Sequence, residues 1–271
     1  MNSKVVVPDV FSRHAAAYSD RLAEAFKRGE ARGRLRVLEL LAVGPGERIV
    51  DLGCGPGTLT FPLADAAGSR GFVAGVDLAP GMLLLAGAQG TPTVAFARMD
   101  IERLAFADAV FDAVACGHSL QFCPDLDNAL REARRVLRRD GRFAASVPLP
   151  PPRRHHSDDV LDGLLPLLPV PTDAQETRVL LGEEAGARSA LLRAGFRTAI
   201  VEQLDEVSRY RGPSELVAKA MSWWAFARRL ELLPEAERRR VQAEAVERLR
   251  ELVGSGPLEI PGASLVIFAR N

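Results

Sequence analysis

The chain has 271 residues, 47% of them hydrophobic and 26% charged, enough apolar material for one large α/β domain and too much for wholesale disorder. Its 35 basic and 35 acidic side chains balance. A protein built to grip nucleic-acid phosphates carries a net basic field, which this composition argues against.

In chain order, residues 10–43 read as helical. Leu22, Ala25 and Phe26, then Leu35, Leu38, Leu41 and Ala42, recur with helical spacing. Gly44-Pro45-Gly46 breaks the run. Residues 48–52 fit a buried strand, a glycine turn follows, and 59–67 fits a helix. The pattern repeats with a strand at 71–77 and a helix at 80–89, then strands at 93–98 and 111–116. Residues 126–139 form a helix whose apolar face carries Leu130, Ala133, Val136 and Leu137; Asp140-Gly141 ends it before a strand at 142–147. Pro148 to Pro152 reads as a loop, and the apolar but proline-interrupted stretch 157–175 as a poor helix. Helices at 183–194, 213–230 and 234–252 and strands at 199–207 and 265–269 complete the chain. The run Glu235 to Arg250 is a solvated helix face. Seven strands alternating with helices imply a largely parallel sheet covered on both faces.

The three cysteines (Cys54, Cys116, Cys123) fit no zinc spacing and read as reduced thiols of a cytoplasmic protein, with no metal expected. No signal peptide and no run of ~18 apolar residues is visible, so no membrane partner is expected.

The chemistry is concentrated at Asp51-Leu52-Gly53-Cys54-Gly55-Pro56-Gly57, directly after a strand. Glycine lets a ligand approach the backbone closely, and the next helix points free N–H groups at it. The spacing is Gly-x-Gly-x-Gly and not the Gly-x-Gly-x-x-Gly of dinucleotide sites. The leading Asp51 would repel a pyrophosphate but suits a ligand carrying an ammonium and a sulfonium, such as S-adenosylmethionine (SAM). Asp77 ends the second strand twenty residues after Gly57, where a carboxylate can accept both ribose hydroxyls.

With Val50–Thr58, Gly75–Met82, Met99–Glu102, Phe111–Val114, Leu120–Asp125 and Arg135–Arg142, the chain resembles the class I SAM-dependent methyltransferases of the ubiquinone/menaquinone-biosynthesis (UbiE) type. The resemblance spans about residues 47–147. It departs at Asp140-Gly141-Arg142, where the family usually has Pro-Gly-Gly, and at Gln121, where many relatives have histidine. It implies a Rossmann-like doubly wound seven-stranded sheet, mostly parallel with an antiparallel last strand. It also implies an N-terminal arm (residues 1–45, with Phe11, His14 and Tyr18) closing over the cofactor. The domain would occupy 46–271, with substrate-side insertions at about 148–180 and 208–254. By resemblance, Asp51, Gly53, Cys54, Gly55 and Gly57 face the methionine end, Asp77 holds the ribose, and Leu78 and Met82 pack near the adenine. Asp100 bonds the adenine amino group, Ile101 covers the ring, Cys116, Gly117 and His118 line the methyl end, and Tyr18 touches the cofactor from the arm.

Methyl transfer is an in-line displacement, for which positioning and water exclusion supply most of the acceleration. A base is needed only where the acceptor keeps its proton. His118 is the candidate base, with cofactor packing as its alternative role. Gln121, His155 and Trp223 are the candidate substrate contacts, Gln121 alternatively capping its loop. The expected activity is methylation of a small, hydrophobic or aromatic acceptor, with S-adenosylhomocysteine (SAH) as product, by a monomer or homodimer. The alternatives are a tRNA or rRNA methyltransferase, and a SAM-binding cyclase or binding protein that no longer methylates.

Overall fold

A computed structural model of the chain describes residues 3–150, 153–170, 183–221 and 224–271. Its seven-stranded sheet has the order β3-β2-β1-β4-β5-β7-β6. The strands are β1 (Arg48–Leu52), β2 (Phe72–Asp77), β3 (Val94–Arg98), β4 (Phe111–Gly117), β5 (Leu137–Leu149), β6 (Thr198–Tyr210) and β7 (Leu258–Arg270). The pairs β1–β2, β2–β3, β1–β4 and β4–β5 are parallel, and β7 runs antiparallel to β5. Ile49, Val50 and Leu52 are buried on both faces of the sheet, as a central parallel strand requires. One side is filled around Leu130, Leu137 and Phe143, the other around Val37, Leu41 and Leu63. From β1 the chain order runs outward to β2 in one direction and to β4 in the other. The carboxyl ends of β1 and β4 therefore flank the switch point where such sheets bind ligands.

The helical run 10–43 is three helices, α1 (Ser3–Arg13), α2 (Ala15–Lys27) and α3 (Arg32–Leu41). The chain turns at Gly29 and Ala42, both with left-handed φ (66° and 43°). α1 starts earlier than the sequence pattern suggested because Val6, Val7 and Val10 form its buried stripe. Helices α4 (Thr60–Ala67) and α5 (Pro80–Gly87) follow β1 and β2. The helix expected over 126–139, α6, spans only Leu126–Val136. Leu137 instead pairs with Phe111 and opens β5, whose register shifts before Arg142, and Asp140 takes a left-handed φ of 64°. β5 continues to Leu149, two residues into the stretch expected to be a loop (Pro148 to Pro152), with Pro148 opposite Ser264.

The chain divides into two compact units. One comprises Asn2–Leu149, Glu176–Leu204 and Ala263–Asn271, and includes α8 (Glu184–Arg193). The other gathers Pro150–Gln175 and Asp205–Gly262. It contains α7 (His156–Leu164), α9 (Pro213–Ala220), α10 (Trp224–Leu230) and α11 (Glu235–Val253). Its own core is built on Leu161, Leu164, Leu216, Phe226, Ala245 and Leu249. α7 takes up the first part of the stretch expected to be a poor helix, 157–175; residues 171–175 lie outside the described residues. His155 caps the α7 N-terminus, accepting from Ser157 N at 3.1 Å, while Asp158 reaches back to the His155 N–H. The helix expected over 213–230 is α9 and α10. No helix among the described residues is long and apolar enough to cross a membrane.

Candidate active site

At the carboxyl end of β1, Gly53, Gly55 and Gly57 all take left-handed φ (64°, 55° and 89°). Each is glycine for a different neighbour. A Cβ on Gly53 would overlap the Ser119 side chain, whose hydroxyl donates to Gly53 O at 3.0 Å, tying the turn to the loop after β4. A Cβ on Gly57 would overlap the Phe61 ring in α4. Above Gly55 there is open space. That space belongs to a cavity lined by α1 and by the carboxyl ends of β1, β2 and β4.

Four carboxylates line this cavity, Asp51, Asp77, Asp100 and Glu102. Asp51 is 1% exposed, and its Oδ2 accepts the Thr60 hydroxyl at 2.6 Å while Oδ1 is buried without a hydrogen-bond partner. Burial pushes its carboxyl up to about 7; the Thr60 bond and the charge of Arg34 oppose the shift, and Asp77 adds to it. Asp77 accepts the Gly55 N–H on Oδ2 and the Ala79 N–H on Oδ1, each at 2.8 Å, so one side chain joins the glycine turn to the start of α5. Burial raises its pKa too, against those bonds. Asp100 accepts Glu102 N at 2.9 Å and the Lys4 ammonium at 2.6 Å. Lys4 also pairs with Glu102 at 2.5 Å.

Lys4 belongs to α1, which closes one wall of the cavity. Ser12 of α1 donates to Pro8 O at 2.7 Å and accepts Gly81 N at 3.1 Å; a Cβ on Gly81 would strike the α1 backbone. The Phe11 ring meets Tyr18 and Phe122 edge-on, with centroids 5.5 and 5.4 Å apart. Tyr18 OH accepts from the Arg34 guanidinium of α3 at 3.0 Å.

At the end of β4, Gly117 and His118 reach the cavity. A Cβ on Gly117 would meet Leu59 and approach Arg34. His118 has a left-handed φ of 59°, and its N–H bonds Ser146 O at 2.8 Å. Its Nδ1 lies 2.8 Å from Ser146 Oγ and its Nε2 3.3 Å from Ser264 Oγ. Burial, and secondarily the charge of Arg34, hold the imidazole pKa well below its usual range.

Of the expected cofactor contacts, Tyr18, Asp51, Gly53, Cys54, Gly55, Asp77, Leu78, Met82, Asp100, Ile101, Gly117 and His118 line the one cavity. Two do not. Cys116 is fully buried because the alternation of β4 turns it into the core beside Leu120 and Cys123. Gly57 faces Phe61 instead. Among the substrate candidates, Gln121 caps its loop, donating to His118 O at 2.9 Å, with its Oε1 buried and unpartnered. His155 is the cap of α7 and lies outside the cavity lining, and Trp223 lies outside the described residues. Sequence reasoning missed Lys4, Arg34, Glu102, Thr58 and Leu59. Burial raises the pKa of Cys54, Cys116 and Cys123, so all three are protonated thiols at neutral pH.

Residues 50–145 match the family described as "Methyltransferase domain". The chain is 32% identical to the nocamycin O-methyltransferase of Saccharothrix syringae over 92% of each chain. It is 35% identical to the malonyl-[acyl-carrier protein] O-methyltransferase of Geobacter sulfurreducens, over 74% of this chain and 73% of that one. Among solved structures, the YcgJ protein of Bacillus subtilis superposes with a TM-score of 0.60 at 16% identity, covering 89% of this chain and 98% of that one. At that identity the likeness concerns the fold alone.

Proposed function

The chain belongs to the class I SAM-dependent methyltransferases, and from that premise we propose that it methylates an oxygen of a small-molecule acceptor in the cavity above Gly55. The observation that carries the cofactor's orientation is the pairing of two opposite charges at one end of the cavity. Asp51 Oδ1 is a buried acceptor without a partner, and the Arg34 guanidinium near Gly117 has as its hydrogen-bond partner, among the described residues, the neutral Tyr18 phenol. An ammonium and a carboxylate on one carbon answer both, and the methionine end of SAM has that form. Asp77 would take the ribose hydroxyls on lone pairs left over from its two backbone bonds. Asp100, held by Lys4, would face the adenine with Ile101 and Met82.

The cofactor supplies an electrophilic methyl on a sulfonium. The protein's own part is positioning: the Gly53–Ser119 tie fixes the turn, His118 is braced by two serines, and α1 with Phe11 and Phe122 keeps water from the cavity. Oxygen as the accepting atom is supported by the two relatives above, both described as O-methyltransferases. The test is calorimetry with SAH, followed by methyl-labelled SAM with a panel of acceptors. Tight SAH binding and label recovered on oxygen are expected. Label on nitrogen or carbon, or product formed without label, would overturn the reading.

A further inference from the structure

At the edge of the sheet opposite the glycine turn, β4, β5 and β6 begin while α6 and β7 end. Four arginines, Arg134, Arg135, Arg139 and Arg197, line a concavity there. Two of them are spent on the fold. Arg135 pairs with Glu132 and Asp108, each at 2.7 Å, and donates to the Leu104 and Phe106 carbonyls. Arg197 pairs with Asp140 and donates from Nε to Asn271 O at 2.8 Å. Arg134 and Arg139 have no ion pair among the described residues; Arg139 reaches Asp140 only as a longer-range charge. The Arg134 Nε–H is buried with no acceptor. Its guanidinium lies against Gly195, where a Cβ would stand 3.2 Å from Nε and 3.3 Å from Cζ. The carbonyls where α6 runs out, which would repel an anion, already accept from the Asn271 amide, Leu137 O at 2.9 Å and Arg138 O at 3.1 Å.

From this arrangement we propose that the concavity is a second binding site, separate from the cofactor cavity, for a dianionic phosphate, free or as the monoester of a small molecule. Arg134 and Arg139 are its two anion-binding groups. A guanidinium offers its N–H donors as a planar fork that matches an edge of a phosphate. A phosphate monoester carries about −1.5 to −2 charges at pH 7 and three acceptor oxygens, so two unpaired guanidiniums balance it. A carboxylate or a phosphodiester, with one charge, would leave one cation over. The buried Arg134 Nε–H is an unmet donor in the empty protein, and an oxyanion oxygen meets it. Arg135 and Arg197, held by their own carboxylates, shape the walls and add no unpaired charge.

The test titrates the full chain by calorimetry, at neutral pH and low ionic strength, with glycerol 3-phosphate and separately with inorganic phosphate. SAH is titrated in parallel, and amide NMR locates the site. One equivalent of phosphate should bind without displacing SAH, with the largest amide shifts at Arg134, Gly195 and Asn271. Binding of either ligand supports the site, and the tighter one tells the ester from the free ion. Arg134→Ala and Arg139→Ala should each weaken phosphate binding at least tenfold, the loss of a charge-assisted bond, with SAH affinity unchanged. Arg248→Ala, an exposed arginine of α11, should change neither. Equal phosphate binding in all three variants would mean an adventitious ion only and would overturn the proposal. Absence of saturable binding of both ligands overturns it too. Competition between phosphate and SAH would place the anion in the cofactor cavity, with the same consequence. A short single-stranded RNA held through Arg134 more tightly than glycerol 3-phosphate would replace the small phosphate by a nucleic-acid backbone.

Discussion

At the scale of single residues, Asp51 combines two properties that ordinarily exclude each other, full burial and an unpartnered oxygen. The folded chain holds its proton to about pH 7, whereas the unfolded chain releases it near the ordinary carboxylate value of 3.8. Between those values the folded state binds the extra proton, so this group's stabilising contribution is full below pH 4 and is lost as pH rises to about 7. The loss is at most about 4 kcal/mol, from roughly three units at 1.36 kcal/mol each. Asp51→Asn should therefore raise the apo protein's unfolding free energy at pH 8 by a few kcal/mol and leave it nearly unchanged at pH 4. Urea titrations at both pH values check this, and equal effects at the two would contradict it. The same carboxylate must be ionised to hold an ammonium. SAH affinity of the native chain should accordingly fall as pH drops below about 7, and that dependence should vanish in Asp51→Asn. Asp77 differs in being satisfied before any ligand arrives. Its removal takes away the expected ribose bonds, worth about 1.5–3 kcal/mol each, and also frees the Gly55 and Ala79 N–H groups. Asp77→Ala should weaken SAH binding at least tenfold; unchanged affinity in calorimetry would remove the ribose assignment.

At the scale of elements, the glycine turn shows how closely the chain is cut to its neighbours. Gly57→Ala meets both a left-handed φ of 89° and the Phe61 ring. The backbone part alone costs about 1–2 kcal/mol. Total destabilisation of about 2–4 kcal/mol is expected. Adding Phe61→Ala should relieve the steric part and leave the backbone part, so the two substitutions should be clearly non-additive in chemical denaturation. Strict additivity would mean that the ring is not what demands glycine there. The β1-turn-α4 unit was legible in the sequence because each piece carries a local signal: a short apolar strand, glycines at the bend and an acid at each strand end. Asp51, Asp77 and Asp100 were legible for the same reason. Lys4 and Arg34 were not, because a cation on an amphipathic helix looks like its solvated face until the helix has somewhere to dock. Cys116 could have been set aside from the period-two alternation of β4, which places it opposite Gly117. His155 was open to a capping reading, since Asp158 three residues on completes the box. The end of α6 was hidden because Leu137 continues the helical apolar stripe while pairing with Phe111 as a strand residue.

At the scale of the whole chain, the cavity and its lining lie within the unit built on Asn2–Leu149, while Asp205–Gly262 supplies most of a second core. The exposed ion pairs of α11, such as Glu235–Arg239 and Glu244–Arg248, contribute little to that second core's stability. Its cohesion comes from Ala245 and Leu249 packed with Leu216 and Leu164. A ligand stabilises only the states that bind it, by about 2.7 kcal/mol at a hundredfold excess over Kd. Hydrogen exchange followed with and without saturating SAH should therefore place the largest gain in protection at Gly53–Gly57, at Asp77–Met82 and along α1, whose Lys4 and Ser12 bonds close the cavity wall. The amides of α11 should gain far less, because no residue of that helix lines the cavity. Slowing concentrated in α9 and α11, with the glycine turn unchanged, would move the cofactor site away from the end of β1. Slowing at the turn without any at α1 would leave the site where it is and remove the N-terminal helix from cofactor retention.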